Sequence, residues 1–188
     1  MGFDVPIFDD KAPAPFMTPY TGGVVQQRQA ALVINMAGGG GLEIWSFTSR
    51  VSQPANFKLE LGDLGINAIR FKAPDITKAH IWVKSKSNEA VGPVSELPEG
   101  KGFWGNDPYG NIFQVAEDTS WFQNTGYPTG GVSGAIIGVS NIDKSLHFYK
   151  NLLEPLEVVY DKTGVFEDLP TSIPGQRFRR VLLRKKFT

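Results

Sequence analysis

Phe103–Asp118 reads FWGNDPYGNIFQVAED, and the interpretation of these residues decides the fold. An apolar, aromatic segment runs into Asn106-Asp107-Pro108-Tyr109-Gly110-Asn111, and Ile112 to Ala116 returns as a second apolar run. Pro at the second turn position fixes φ, Gly two residues on supplies the reversal, and Asn111 opens the returning strand. The expectation is a β-hairpin.

Outward from the hairpin, Gly65–Ala73 (GINAIRFKA) is an expected strand that Pro74-Asp75 ends. Asp75 or Thr77 then caps a helix running roughly to Lys86, with Ala79, Trp82 and Val83 on its buried face. Val91 to Leu97 reads as a short strand or extended loop. After a Gly/Pro-containing connector the pattern returns: Gly134 to Val139 as a strand, Asn141 or Asp143 as a cap, and SLHFYKNLL as a helix that stops near Glu154-Pro155. Ala68–Val83, AIRFKAPDITKAHIWV, lies over Gly134–Tyr149, GAIIGVSNIDKSLHFY, as strand, polar corner and amphipathic helix.

The start of the chain carries a second similarity. Gly2–Asp10 (GFDVPIFDD) alternates apolar and polar residues as a half-buried strand does, and resembles Leu156–Lys162 (LEVVYDK). Lys11–Gly23 is rich in Pro and Gly and reads as loop. Gln29–Met36 and Leu42–Thr48 are apolar runs separated by Ala37 and the four glycines Gly38 to Gly41, and Arg28–Asn35 resembles Arg177–Arg184. The glycines lack the Lys-Ser/Thr ending of a phosphate-binding loop and no helix follows, so they read as a flexible hairpin turn that uses positive φ. The repeating unit is β-α-β-β-β.

Aligned on that unit, the chain opens at the second strand of one unit (1–50), completes a second (62–118), and after a linker (126–131) begins a third at 132. The expected domains are 1–125 and the start of another over 132–188. The chain then reads as a fragment, with a strand and helix of ~25 residues expected before Met1; a short protein with an atypical first unit is the other reading.

The hairpin resembles the D-P-x-G-N-x-x-E hairpin that closes each unit in the vicinal oxygen chelate superfamily, the group of glyoxalase I, bleomycin and fosfomycin resistance proteins and extradiol dioxygenases. The resemblance implies an α+β fold of tandem β-α-β-β-β units, two of which pair into an incomplete, cupped eight-stranded barrel around one cavity. It also implies metal ligands on the first and last strands of each unit, converging on a divalent ion that polarises a carbonyl or enediolate.

Carried over by position, Glu43 in GGGGLEIW stands at a ligand position, as metal ligand or catalytic base. Gln114 stands where the family usually has Glu, and Ala68 and Gly134 replace the usual His. An extradiol ring-cleaving iron site is therefore disfavoured. His80 and His147 fall within expected helices and read as helix-surface residues. Strand alternation sends Trp45 and Phe47 inward with Glu43, Arg70 and Lys72 with Ala68, and Ile112 and Ala116 with Gln114. Trp45 and Trp104 offer apolar stacking, Arg70 an anchor for an anionic group, and Glu43 and Gln114 hydrogen bonds. The competing reading makes Trp45, Phe71 and Trp104 plain core aromatics and Arg70 the structural partner of Glu43.

The chain has 188 residues, 41% of them hydrophobic, and zero formal net charge. No basic cluster marks a nucleic-acid partner, and no run approaches the roughly 18 apolar residues of a membrane span. The absence of Cys removes disulfides and thiolate chemistry and is compatible with a cytoplasmic setting. The opening residues do not show the charged-then-apolar pattern of a signal segment. The resemblance implies a glyoxalase-like small-molecule protein, a lyase or isomerase acting on a carbonyl or hemithioacetal substrate with a divalent metal. The alternative it implies is a metal-free binding or sequestering protein of the bleomycin-resistance type. It leaves a homodimer open.

Overall fold

The computed structural model describes residues 1–53, 56–86, 91–170 and 175–185. Parts of the third unit as read from sequence, 171–174 and 186–188, lie outside the described residues. In chain order the elements are β1 (Val5–Ala14), a 3-10 helix (Pro15–Tyr20), β2 (Gln26–Ile34), β3 (Gly41–Phe47), β4 (Gly65–Ala73), α1 (Ile76–Lys86), β5 (Ser95–Leu97), β6 (Gly100–Asn106), β7 (Ile112–Glu117), β8 (Val132–Gly138), α2 (Ile142–Leu152), β9 (Leu156–Gly164) and β10 (Phe178–Lys185). The protein is mixed α and β. Its described strands lie in three sheets, ordered β1-β2-β3, β5-β6-β7-β4-β8 and β10-β9, none of which closes into a barrel.

β4, α1, β5, β6 and β7 form one β-α-β-β-β unit within the central sheet. Asp75 accepts a hydrogen bond from the Lys78 backbone N–H at 3.0 Å and so starts α1 as its N-cap. The helix sits on one face of the sheet, where Ile76, Ala79 and Val83 pack with Phe71, Ala73, Phe103 and Val115. Full burial of a side chain such as Phe103 is worth about 1.5–3 kcal/mol, so this cluster is the main adhesive between helix and sheet. At the hairpin tip, Asp107 accepts from the backbone N–H groups of Tyr109 and Asn111, both at 2.8 Å, and Gly110 takes φ 88°. The alternate residues of β4, β6 and β7 are left for the opposite face.

β4 is an interior strand of the sheet. It pairs in parallel with β7 and antiparallel with β8, and a bulge at Ser133 lets Val132 join the helix-side core while Ile136 faces the other way. α2 begins at Asn141, whose side chain accepts from the Lys144 N–H at 2.9 Å, but it buries no residue.

Two loop expectations are corrected. Lys11–Ala14 continue β1 instead of looping, because β1 is an edge strand on which Pro13 sacrifices no ladder bond, and Pro15–Tyr20 coil into the 3-10 helix. The glycine turn does use positive φ at Gly39 and Gly40, but it is packed: a Cβ at Gly131 would overlap the Gly39 carbonyl, and Gly38 lies against Gly130. Phe122 covers Gly39 and donates its backbone N–H to the Ala37 carbonyl at 2.7 Å. The tract is glycine because two backbones meet there.

Candidate functional site

The helix-free face of the central sheet carries an unusual row of residues. Trp104 on β6 pairs with Gln114 on β7, Gln114 with Arg70 on β4, and Arg70 with Gly134 on β8. In a β-ladder residues that pair directly point to the same face, so strand geometry alone lines these four up. Beside them, Ala68 and Trp104 pack with Leu61, Ile112, Ile136 and Leu169 as a second, smaller apolar cluster.

Glu99, in the turn between β5 and β6, completes the row. Arg70 brings its guanidinium to 2.5 Å from Glu99 Oε1, reaching past β7, which lies between β4 and β6. The side chains are 16% and 5% exposed, so the pair is largely withdrawn from water. Arg70 is the ion-pair partner of Oε1, whereas Oε2 has none. Gln114 is 1% exposed, and its Nε2 also lacks a partner. A buried polar atom without a partner costs about 1–3 kcal/mol, so two on one face call for an explanation. Next along β4, Lys72 turns away to the rim and donates to Ser120 Oγ at 3.1 Å.

The β9–β10 hairpin and the segment after β9 roof the face. The Trp104 indole N–H donates to the Asp168 carbonyl at 2.6 Å. The Asp168 carboxylate in turn accepts from Arg180 at 2.6 Å, and Arg180 stacks over Phe166 at 5.3 Å and Tyr160 at 5.8 Å. Burial raises the pKa of the Tyr160 hydroxyl; the Glu99 and Asp168 carboxylates push the same way and Arg180 opposes them. Tyr160 is therefore a neutral hydroxyl at physiological pH. Beside Arg70 the face is open: a Cβ placed on Gly134 would meet no atom within 4 Å.

Of the residues singled out from sequence, Arg70, Trp104 and Gln114 come together here, with Ala68 and Gly134 beside them. Glu43 and Trp45 do not. Both lie exposed on β3 in a different sheet; Trp45 stacks edge-on with Phe47 at 4.5 Å, and Glu43 shares no hydrogen bond or ion pair with Gln114 or Arg70. The partner of Arg70 is Glu99, not Glu43. The two histidines serve their helices: His80 Nε2 shares a hydrogen bond with the Gly92 carbonyl at 2.9 Å, and His147 Nε2 with Asn151 at 3.2 Å.

The metal site implied by the resemblance can be tested against these donors. Among the described residues no three His, Asp or Glu side chains converge as a ligand set. Glu43 and Gln114 stand on strands of different sheets, so the donors present do not fit one ion. Glu99, Tyr160, Asp168 and Arg180 were not visible from sequence. Glu99 sits in a Leu97-Pro98-Glu99-Gly100 turn, where period-two alternation assigns no face, and the other three belong to the unit read as the next domain.

No protein-family model, curated protein or solved structure matches this chain. No helix among the described residues is long and apolar enough to cross a membrane.

Proposed function

We propose that this chain is a small-molecule-binding protein of the vicinal oxygen chelate kind, holding its ligand between the helix-free face of the central sheet and the β9–β10 hairpin. The observation that carries this reading is the pair of buried hydrogen-bonding atoms without partners, Glu99 Oε2 and Gln114 Nε2. Trp104 gives the site an apolar wall, and the space beside Gly134 gives it an opening. In this reading the sheets β1-β2-β3 and β5-β6-β7-β4-β8, eight strands between them, would form the walls of a cup. Gly40 in the β2–β3 turn lies against Val132 at the start of β8, which supports taking the two sheets as neighbouring walls. Glu43 and Trp45 would then belong to the far wall.

A lyase or isomerase acting on a carbonyl substrate is the second reading. It is favoured by Glu99, a buried carboxylate fixed by Arg70 through Oε1 that leaves Oε2 to face a substrate.

Ligand-observed NMR with a fragment set of mixed charge tests the binding reading. Fragments that bind are expected to shift the Trp104 indole N–H and to lose affinity in Gln114→Met; hits that leave Trp104 unmoved would sink it. Elemental analysis after dialysis separates the readings further. Binding without a metal leaves the wild type and Glu43→Ala with the same trace content, whereas a stoichiometric divalent ion lost in the variant returns Glu43 to the role of ligand.

A further inference from the structure

Among the described residues of this face, Arg70 is matched by Glu99 and Arg180 by Asp168, while Lys72 stands apart at the rim, held by Ser120. Apart from that rim lysine the charges of these pairs cancel before any ligand arrives. A carboxylate or phosphate entering beside Gln114 would therefore meet a buried Glu99 whose neighbouring cation is already paired, and an ammonium would meet Arg70 in the same way. Burying an unpaired charge is strongly unfavourable, so both are selected against. The unfilled hydrogen-bonding capacity has a definite pattern, an acceptor on Glu99 Oε2 and a donor on Gln114 Nε2.

Resting on the binding reading above, we infer that the site takes an uncharged ligand that presents a hydrogen-bond donor and an acceptor close together beside an apolar body. Primary carboxamides and hydroxy ketones are the chemical class. The N–H or O–H donates to Glu99, the carbonyl accepts from Gln114, and the apolar body lies against Trp104 and extends into the space beside Gly134. The sequence had suggested the opposite selectivity, an anion on Arg70; the Glu99 partner reverses it.

The test uses three probes of one shape, benzamide, benzoate and benzylammonium, titrated to about 10 mM, the range in which fragments of this size bind. The readout is the indole N–H of Trp104, assigned with Trp104→Phe, in the wild type, Glu99→Gln and Gly134→Val. Benzamide is expected to bind the wild type at least about tenfold more tightly than either charged probe, a ratio set by the unpaired-charge penalty. Glu99→Gln frees Arg70 and is expected to reverse the order of benzamide and benzoate, which a purely structural ion pair would not do. Gly134→Val has no atom to collide with and no positive φ to strain, so it is expected to fold as the wild type does while losing benzamide. Should Glu99→Gln fail to fold, Gly134→Val decides: benzamide retained in that variant overturns the inference. Benzoate bound by the wild type as well as benzamide also overturns it, yet leaves a small-molecule site in place. No shift of Trp104 with any probe overturns both.

Discussion

At the scale of single residues, the glycine contact makes the sharpest demand. Gly131 faces the Gly39 carbonyl with no room for a methyl group, and the opposing atoms are backbone, which cannot rotate away. Gly131→Ala is expected to lower unfolding stability by about 3 kcal/mol in urea denaturation, at the upper end of overpacking costs. Gly134→Ala, open on all sides, is expected to change it little. Asp107 makes a second demand. Burial acts to raise its pKa, but the Asn111 side chain and the backbone N–H groups of Asn111, Tyr109 and Gly110 outweigh this and hold it below the usual carboxylate value. A depressed carboxylate stabilises the fold above its unfolded pKa and loses that contribution as pH falls through the lower native value. The amide shifts of Tyr109 and Asn111 are therefore expected to hold as pH falls through the range of free carboxylates and to move together only below it, and Asp107→Asn to abolish the transition. Residue alternation, a strict period of two on a pleated strand, put Arg70 and Gln114 on one surface before any coordinates, but it joined to them Glu43 and Trp45, which lie in another sheet, and gave Trp104 no face. Glu99 was not legible, since a turn obeys none.

At the scale of elements, hydrophobic patterning and capping chemistry located both α-helices and most strands, with ends shifting by a few residues. The misplacement of Lys11–Ala14 has a plain cause: proline content argues against a central strand but not against an edge. α2 shows where local and tertiary forces part. It has a good cap and an amphipathic sequence, yet Phe148 and Leu152 stay 57% and 61% exposed. Asn141→Ala removes a cap worth ~1 kcal/mol, and with no residue of the helix fully buried the loss is expected as faster hydrogen exchange within α2 and little change in the global melting temperature. Trp104→Phe acts on a different element. It removes the indole bond to Asp168 and is expected to speed exchange in β9 and β10 while leaving β4 and β7 protected.

At the scale of the whole molecule, the division of the described strands among three sheets could not be read from the chain, because strand pairing between units depends on edges and twist that no local pattern encodes. Local pattern defines a unit; it does not say which neighbour the unit meets. β8 ends the central sheet with Ile137 38% exposed, and the uncovered face of α2 adds apolar surface. Concentration-dependent self-association is expected in light scattering, reduced in Ile137→Lys, as charge on an edge strand discourages further pairing. The position of β4 bears on how such a chain is made. Its parallel partner β7 begins at Ile112 and its antiparallel partner β8 at Val132, both encoded well after Ala73. A ribosome adding roughly 5–20 residues per second emits β4 seconds before either partner exists. During that interval a strand destined for the interior of the sheet has two vacant sides, and α1, the next element to emerge, is the first part of its own unit able to shelter it.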